Sequence, residues 1–277
     1  MRYLLDPDMP VLLRPDDAVQ IGWDPQRAVL VRPPRGLTAP ALASVLRTMR
    51  DAIGAEEVMA EASRHGPVDA EELTGLLTAL VQARVARASA RPATGRTAAI
   101  RVHGGGPLAE LLVSSLRCSG AKISHTRQPH ARVRAHTADL VVLTDALVAE
   151  PQLLRDLHDA GVAYLPVRLR DGSGLVGPLV IPGVTSCLHC ADLHRSDRDA
   201  AWPTVAAQLR GTQGSADRAT LMATAALALA QVDSVIKAVR GHADADPPAT
   251  LSTTLEFDAA AGSITSRRWP RHPRCSC

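Results

Sequence analysis

Along the first 88 residues the hydrophobic and polar positions follow two periods in succession. Short β-rich runs come first: Pro10-Val-Leu-Leu-Arg14, Ala18-Val-Gln-Ile-Gly22 and Arg27-Ala-Val-Leu-Val-Arg32. The turn formers Pro15-Asp16-Asp17 and Asp24-Pro25-Gln26 separate them. They predict a three-stranded meander. Helical spacing of apolar residues then takes over. Thr38 can cap a helix running to about Asp51, with Leu42, Val45, Leu46 and Met49 on one side. A shorter helix is predicted over 55–64. A third, over 69–86, carries Leu73, Leu76, Leu77, Leu80, Val81 and Val85. Small helices on a small sheet predict a winged-helix module over residues 1–88. The polar stretch that follows contains Pro and Gly and few large apolar residues, and is read as a linker over 89–97.

From Ala98 the pattern changes to alternating strand and helix. Ala99-Ile-Arg-Val-His103, Ala121-Lys-Ile-Ser124, Asp139-Leu-Val-Val-Leu-Thr144 and Val162-Ala-Tyr-Leu-Pro-Val167 read as strands. Helices are predicted over 107–118, 151–160 and 216–240, with a terminal hairpin over 251–258 and 262–268. This alternation implies an α/β domain over 98–277 built on a mostly parallel sheet.

Composition narrows the possibilities. The chain has 277 residues, 46% of them apolar but only 2% aromatic, so its cores must be built from Leu, Val, Ile and Ala. A net charge of +3 argues against a dedicated nucleic-acid binder. Lys122 and Lys237 are the only lysines, and arginine, suited to bidentate carboxylate contacts, supplies the remaining basic charge. The most apolar stretch, Ala219 to Val232, is interrupted by Thr and Gln and reads as a buried helix. A soluble cytoplasmic protein is expected, with no membrane partner.

The candidate chemistry lies in two places. Cys187-Leu-His-Cys190 and Cys275-Ser-Cys277 are two short thiol pairs, and Cys118 is the only other cysteine. Each spacing lets two thiolates from one turn bind the same ion, so together they predict a closed four-sulfur zinc site through Cys187, Cys190, Cys275 and Cys277. The alternatives are disulfides, or replacement of a sulfur by His189, His194 or His272. The second place is His103-Gly-Gly-Gly-Pro-Leu-Ala109. It puts Gly104 and Gly106 at a strand-to-helix turn of the kind that cradles phosphates, or of the kind that merely turns tightly. The next strand ends Ile123-Ser124-His125, without the acid that would hold a ribose. Asp145, directly after strand 139–144, either binds magnesium or caps a turn.

The order of Asp139-Leu-Val-Val-Leu-Thr-Asp145, Gly161-Val-Ala-Tyr-Leu-Pro, Gly174-Leu-Val-Gly-Pro and Cys187-Leu-His-Cys190 resembles the E1-like (ThiF-type) adenylating fold over residues 98–277. The resemblance makes Gly104, Gly106 and Asp145 the positions of a Rossmann-type nucleotide and magnesium site. Ala146 stands where an Asn is usual, Glu150 stands near the place of an arginine, and the segment Ser124 to Ala138 is shortened. The resemblance therefore implies a degenerate E1-like domain that needs no ATP. With the N-terminal module, the whole chain is similar to the cyclodehydratase partner proteins of thiazole/oxazole-modified microcin biosynthesis. That similarity implies that the leader of a ribosomal precursor peptide adds as a strand to the first sheet, and that a separate YcaO-type enzyme performs the cyclisation. It also allows a homodimer. On the residues themselves, strand 27–32 is a candidate edge for strand addition. Arg27, Val29, Val31, Arg32, Arg84 and Arg87 are its candidate peptide contacts. Two other classes remain: an active E1-like enzyme adenylating a peptide or carrier-protein carboxylate, and a winged-helix transcription factor. The acidic start of helix 69–86, Asp69-Ala-Glu-Glu72, weighs against the last.

Overall fold

The computed structural model describes residues 1–89, 95–128, 137–241 and 246–277. The chain divides into two compact units, Met1–Thr94 and Gly95–Cys277.

The first unit contains, in order, β1 (Arg2–Leu5), β2 (Val11–Leu13), β3 (Val19–Ile21), β4 (Val29–Val31), α1 (Ala39–Thr48), β5 (Ile53–Gly54), α2 (Ala55–His65), α3 (Ala70–Gln82) and β6 (Ala86–Ser89). The meander forms as expected, with strand order β2-β3-β4 and both pairings antiparallel. Val11, Val19, Ile21 and Val31 are buried and join Leu42, Leu46, Leu73 and Leu80 in one core. Thr38 caps α1, and the Asp69 carboxylate accepts from the Glu71 and Glu72 N–H groups to cap α3.

Two expectations change in this unit. A second antiparallel sheet, β5-β1-β6, was not foreseen. The helix expected over 69–86 ends at Gln82: Arg84 takes a positive φ of 59°, and the chain reverses into β6, where Arg87 pairs with Leu4. Arg84 and Arg87 therefore do not stand on the helix. Ser89, the first residue of the expected linker, belongs to β6, and 90–94 lie outside the described residues.

The second unit contains β7 (Ala99–His103), α4 (Pro107–Leu116), β8 (Lys122–Thr126), β9 (Leu140–Thr144), α5 (Pro151–Asp159), β10 (Ala163–Arg170), β11 (Ser173–Val176), α6 (Leu188–Ser196), α7 (Trp202–Gln208), α8 (Arg218–Val239), β12 (Thr253–Asp258) and β13 (Ser263–Arg268). Its seven-stranded sheet has the order β13-β12-β11-β10-β9-β7-β8. The strands β8, β7, β9 and β10 run parallel, as the βαβ pattern predicts. The sheet is mixed, however, because β11, β12 and β13 pair antiparallel, with β10–β11 and β12–β13 as hairpins. Turns at Gly172 (φ 81°) and Gly262 (φ 59°) allow these reversals. The α8 helix has 22 residues and a mean hydropathy of 1.5, so by length and composition alone it could cross a membrane. Here it packs Ala225, Ala228, Val232 and Ile236 against Val167, Leu169 and Val176 of the sheet, as a core helix does. β11, α6 and α7 were not anticipated.

Candidate functional site: a cysteine cluster and a self-filled glycine turn

Cys187 is the N-cap of α6 and Cys190 lies in its first turn. The chain after β13 returns to this helix through a set of polar anchors. Ser186 Oγ donates to the Trp269 carbonyl at 2.6 Å, and Trp269 Nε1 donates to Thr254 Oγ1 at 3.0 Å. His272 Nε2 and an Asp197 oxygen are 2.7 Å apart, and the Arg274 N–H donates to His272 Nδ1 at 3.1 Å. With both ring nitrogens engaged, His272 is the Nε2–H tautomer held by Asp197.

These anchors bring all four predicted cysteines together. Their Sγ atoms lie within 4.8 Å of one another, with pairs at 3.4 Å (Cys190–Cys277), 3.6 Å (Cys187–Cys275) and 3.9 Å (Cys187–Cys190). Four sulfurs at about 2.3 Å from one tetrahedral ion stand about 3.8 Å apart, so the donor set fits a metal of that kind. A disulfide needs about 2.05 Å, and all four thiols are free. The histidines do not enter the cluster: His189 is exposed, His194 faces the Pro270 carbonyl at 3.1 Å, and His272 is committed to Asp197. Burial raises the Cys187 and Cys275 thiols. At Cys190 hydrogen bonding, led by the backbone at His272, outweighs burial and lowers it.

The glycine turn follows β7, and Asp145 follows β9, at the carboxyl ends of the two inner strands of the parallel set. The chain runs from β7 outward to β8 and then back across to β9. This is therefore the topological switch point, where open α/β sheets bind ligands. The position is already filled. The Asp145 carboxylate is buried and accepts from the N–H groups of Gly106 at 3.1 Å, Leu108 at 3.0 Å and Ala109 at 3.2 Å. It thus occupies the positive end of α4, the place a phosphate would take. This close approach accounts for both glycines. A Cβ on Gly106 would lie 2.5 Å from Asp145 Oδ1, and one on Gly104 2.0 Å from Thr144 Oγ1. Asp145 itself adopts φ 69°, a conformation uncommon outside glycine.

The cleft that remains, about 180 Å³, is bordered by His103, Arg127, Glu150, Arg168 and Gln213. Ligand pockets are usually about 300–1,000 Å³. His103 is held by Thr126 Oγ1 at 3.0 Å. Burial, then the charges of Arg101 and His125, keeps it below the usual histidine range. Residues 129–136, most of the shortened segment after β8, lie outside the described residues.

Among the described residues β4 pairs only with β3. Arg14 N–H donates to the Ala18 carbonyl and Gly22 N–H to the Pro10 carbonyl, so even-numbered residues of β3 bond β2. By alternation, residues 19 and 21 bond Val31 and Val29, and the backbone groups of Leu30 face the free edge. The side chains of Val29 and Val31 belong to the core, whereas Leu30 is exposed, across Gln20 from the exposed Leu12. Val29 and Val31 are thus placed inward. Leu30, the residue the sequence reading left out, is the outward one. Arg27 and Arg32 flank β4 and are exposed; Arg84 and Arg87 are exposed on the turn and on β6. Arg168, which lines the cleft, and Asp197 with His272, which anchor the tail, were also missed. A basic residue at a parallel strand's carboxyl end was the available signal for the first.

No family model and no curated protein matches this chain. Solved structures do. A heterocyclase in complex with substrate and cofactor matches with a TM-score of 0.67 at 15% identity, over 99% of this chain and 39% of that one. The heterocyclase TruD matches with 0.66 at 17%, over 99% and 42%. E. coli MccB with ATP matches with 0.61 at 12%, over 100% and 99%. MccB, a microcin C7 biosynthetic enzyme, has also been solved with N-formylated MccA, and that structure matches with 0.62 at 12%, over 100% and 99%. The chain shares the fold of these proteins, spanning MccB from end to end and about two fifths of the heterocyclase chains.

Proposed function

We propose that this chain is a non-catalytic scaffold that binds the leader of a ribosomal precursor peptide and presents it to a separate YcaO-type cyclodehydratase. Residues 1–88 act as a winged-helix recognition module, and the second unit is a degenerate E1-like domain. The likeness of nearly the whole chain to about two fifths of two heterocyclase chains supports a place in heterocycle formation. The MccB–MccA structure supports peptide binding by a chain of this length. The free edge at Leu30 offers main-chain donors and acceptors for an added strand. Arg27 and Arg32 beside it favour an acidic leader.

The observation that carries the non-catalytic half is the Asp145 carboxylate seated on the α4 N-terminus. A magnesium-bound nucleotide needs that carboxylate and that turn for different purposes. Here each satisfies the other, and the cleft left over is small. In this reading Cys187, Cys190, Cys275 and Cys277 hold one zinc ion, which cross-links the tail to α6 and leaves no open coordination position. The competing reading, an ATP-dependent adenylating enzyme, is favoured by the end-to-end match to MccB with ATP. Two assays decide between them. Under our reading the full chain binds its cognate leader in a fluorescence-anisotropy titration, and its ATP–pyrophosphate exchange stays at background. Robust exchange abolished by Asp145→Ala sinks the scaffold reading.

A further inference from the structure

One face of the β10–β13 half of the sheet, opposite α8, carries an arginine array, of which Arg168 alone also borders the glycine-turn cleft. Arg168 and Arg170 alternate on β10 with Val167 and Leu169, which pack on the α8 side. The register carries that arginine face across Leu175 and Glu256 to β13, where Arg267 projects on it. From α6, Arg195 meets the same region: its guanidinium lies 4.9 Å from the Trp269 ring centre and 5.0 Å from that of Trp202. Arg267 lies 5.8 Å from the same Trp269 ring.

The charges do not balance. Arg170 bonds Glu256 at 2.7 Å and lies 4.0 Å from Asp171, and Arg195 bonds Asp192 at 2.9 Å. Arg168 donates to the Leu147 carbonyl at 3.0 Å, and neither it nor Arg267 has an ion pair among the described residues. Four guanidinium groups therefore face three carboxylates. Burial, and then its neighbour Arg195, outweighs the attraction of Asp192 and pushes Arg168 down to about 10. A crowded, partly desolvated set of like charges is stabilised by an external anion. Arginine with tryptophan is also the side-chain chemistry enriched at protein–protein contacts.

We propose that Arg168, Arg170, Arg195 and Arg267, packed about Trp202 and Trp269, form a docking surface for an acidic segment of a protein partner. The carboxylates of that segment pair with Arg168 and Arg267. A protein is favoured over a nucleic acid because Arg195 already covers both tryptophan rings, which leaves them unavailable for base stacking. The net charge of the chain is also only +3. The surface lies wholly in the second unit and does not depend on leader binding by the first.

The test uses the full chain and two labelled probes, a deca-glutamate peptide and an oligothymidylate of similar charge, titrated by fluorescence anisotropy at low salt. Arg267→Glu is the main variant, because the side chain is exposed and, beyond its approach to Trp269, makes no ion pair among the described residues. Arg168→Gln is the second. Arg117→Glu carries the same charge change on an exposed site elsewhere, and Arg27→Glu places it beside β4. Deca-glutamate should bind the unaltered chain, and Arg267→Glu should weaken it about fivefold or more, as loss of about 1 kcal/mol implies. Arg117→Glu should change it less than twofold. Thermal melting confirms that each variant is folded. The proposal is overturned if folded Arg267→Glu and Arg168→Gln bind deca-glutamate as the unaltered chain does. It is overturned equally if only Arg27→Glu weakens binding, which places the acidic site in the first unit. Tighter binding of oligothymidylate, lost in Arg267→Glu, assigns the surface to nucleic acid instead.

Discussion

Removing the Asp145 carboxylate distinguishes a turn that serves folding from one that serves a ligand. In Asp145→Ala the N–H groups of Gly106, Leu108 and Ala109 lose an acceptor now 3.0–3.2 Å away. A hydrogen bond to a charged group contributes about 1.5–3 kcal/mol. Simple addition overstates the total, because one carboxylate serves all three donors and its own burial cost disappears with it. Loss of a helix cap by itself costs about 0.5–2 kcal/mol. Three donors on a carboxylate only 4% exposed place the expected loss near the top of that range or above it, at about 3 kcal/mol. For a unit of this size that lowers the melting temperature by about 6–12 °C. Calorimetry measures the shift, and hydrogen exchange at residues 106–109 shows whether the loss is local. Asp145→Asn, which keeps an acceptor oxygen, should fall between. The vacated helix end becomes an anion site, so sulfate at about ten times its Kd should restore about 1.4 kcal/mol to the alanine variant and nothing to the unaltered chain. An Asp145→Ala protein that melts within about 1 °C of the unaltered one, yet loses ATP–pyrophosphate exchange, refutes the reasoning and makes Asp145 a magnesium ligand.

Four other outcomes are expected. Purified protein should contain one zinc per chain, and deleting the last three residues or adding a chelator should lower the melting temperature of the second unit by several degrees; protein purified without chelator that holds no zinc counts against this. Leu30→Pro should abolish leader binding while sparing the fold, because it removes an N–H that faces the free edge; full binding by the variant argues against strand addition there. Val29→Pro should instead destabilise the first unit, since its N–H bonds β3. His103 and His158 are held neutral by burial, their folded values lying below the unfolded one of about 6.5. The stability they contribute is fully present above that pH and is lost as pH falls through the folded values; a melting temperature constant from pH 7.5 to 5.5 would contradict it.

Legibility in the sequence followed the range of the interactions. The cysteine pairs could be read because metal-ligand spacing is local, and the four sulfurs come together as the spacing predicts. The strands β9 and β10 announced themselves by apolar runs that need burial on both faces, and β7 by alternation. β1 did not, because Arg2–Leu5 gains strand character by pairing with the distant segments Ile53–Gly54 and Ala86–Ser89. The end of α3 was misplaced for a different reason. Val81 and Val85 fit helical spacing, but Val85 and Ala86 reach the same core from an extended chain after the reversal at Arg84. The inward placing of Val29 and Val31 depended on which strand face meets α1, which the alternation alone leaves open. For Asp145 the residue type allowed either a cation or a helix end. Only the approach of Gly106 within hydrogen-bonding distance decides which it meets.

The two anchoring devices of the second unit use different side chains. Asp145 joins the end of β9 to α4. The cysteines and the His272–Asp197 pair join the chain after β13 to α6, whose Cys187, Leu188 and Cys190 pack with Val141 and Leu143 of β9 and Tyr164 of β10. They share no side chain, so their losses should add: Asp145→Ala stripped of metal should lose the sum of the two separate effects, within about 0.5 kcal/mol. Both devices use groups that serve ligands or cations in other proteins, and both close on this chain's own backbone or side chains. An active centre gains from open coordination and an empty anion site; a rigid support gains from having both satisfied. Additive losses would thus mark two independent braces of a platform. Strong coupling between them would mean that the tail and the glycine turn form one switchable unit, and a scaffold that only holds its peptide in place needs no such switch.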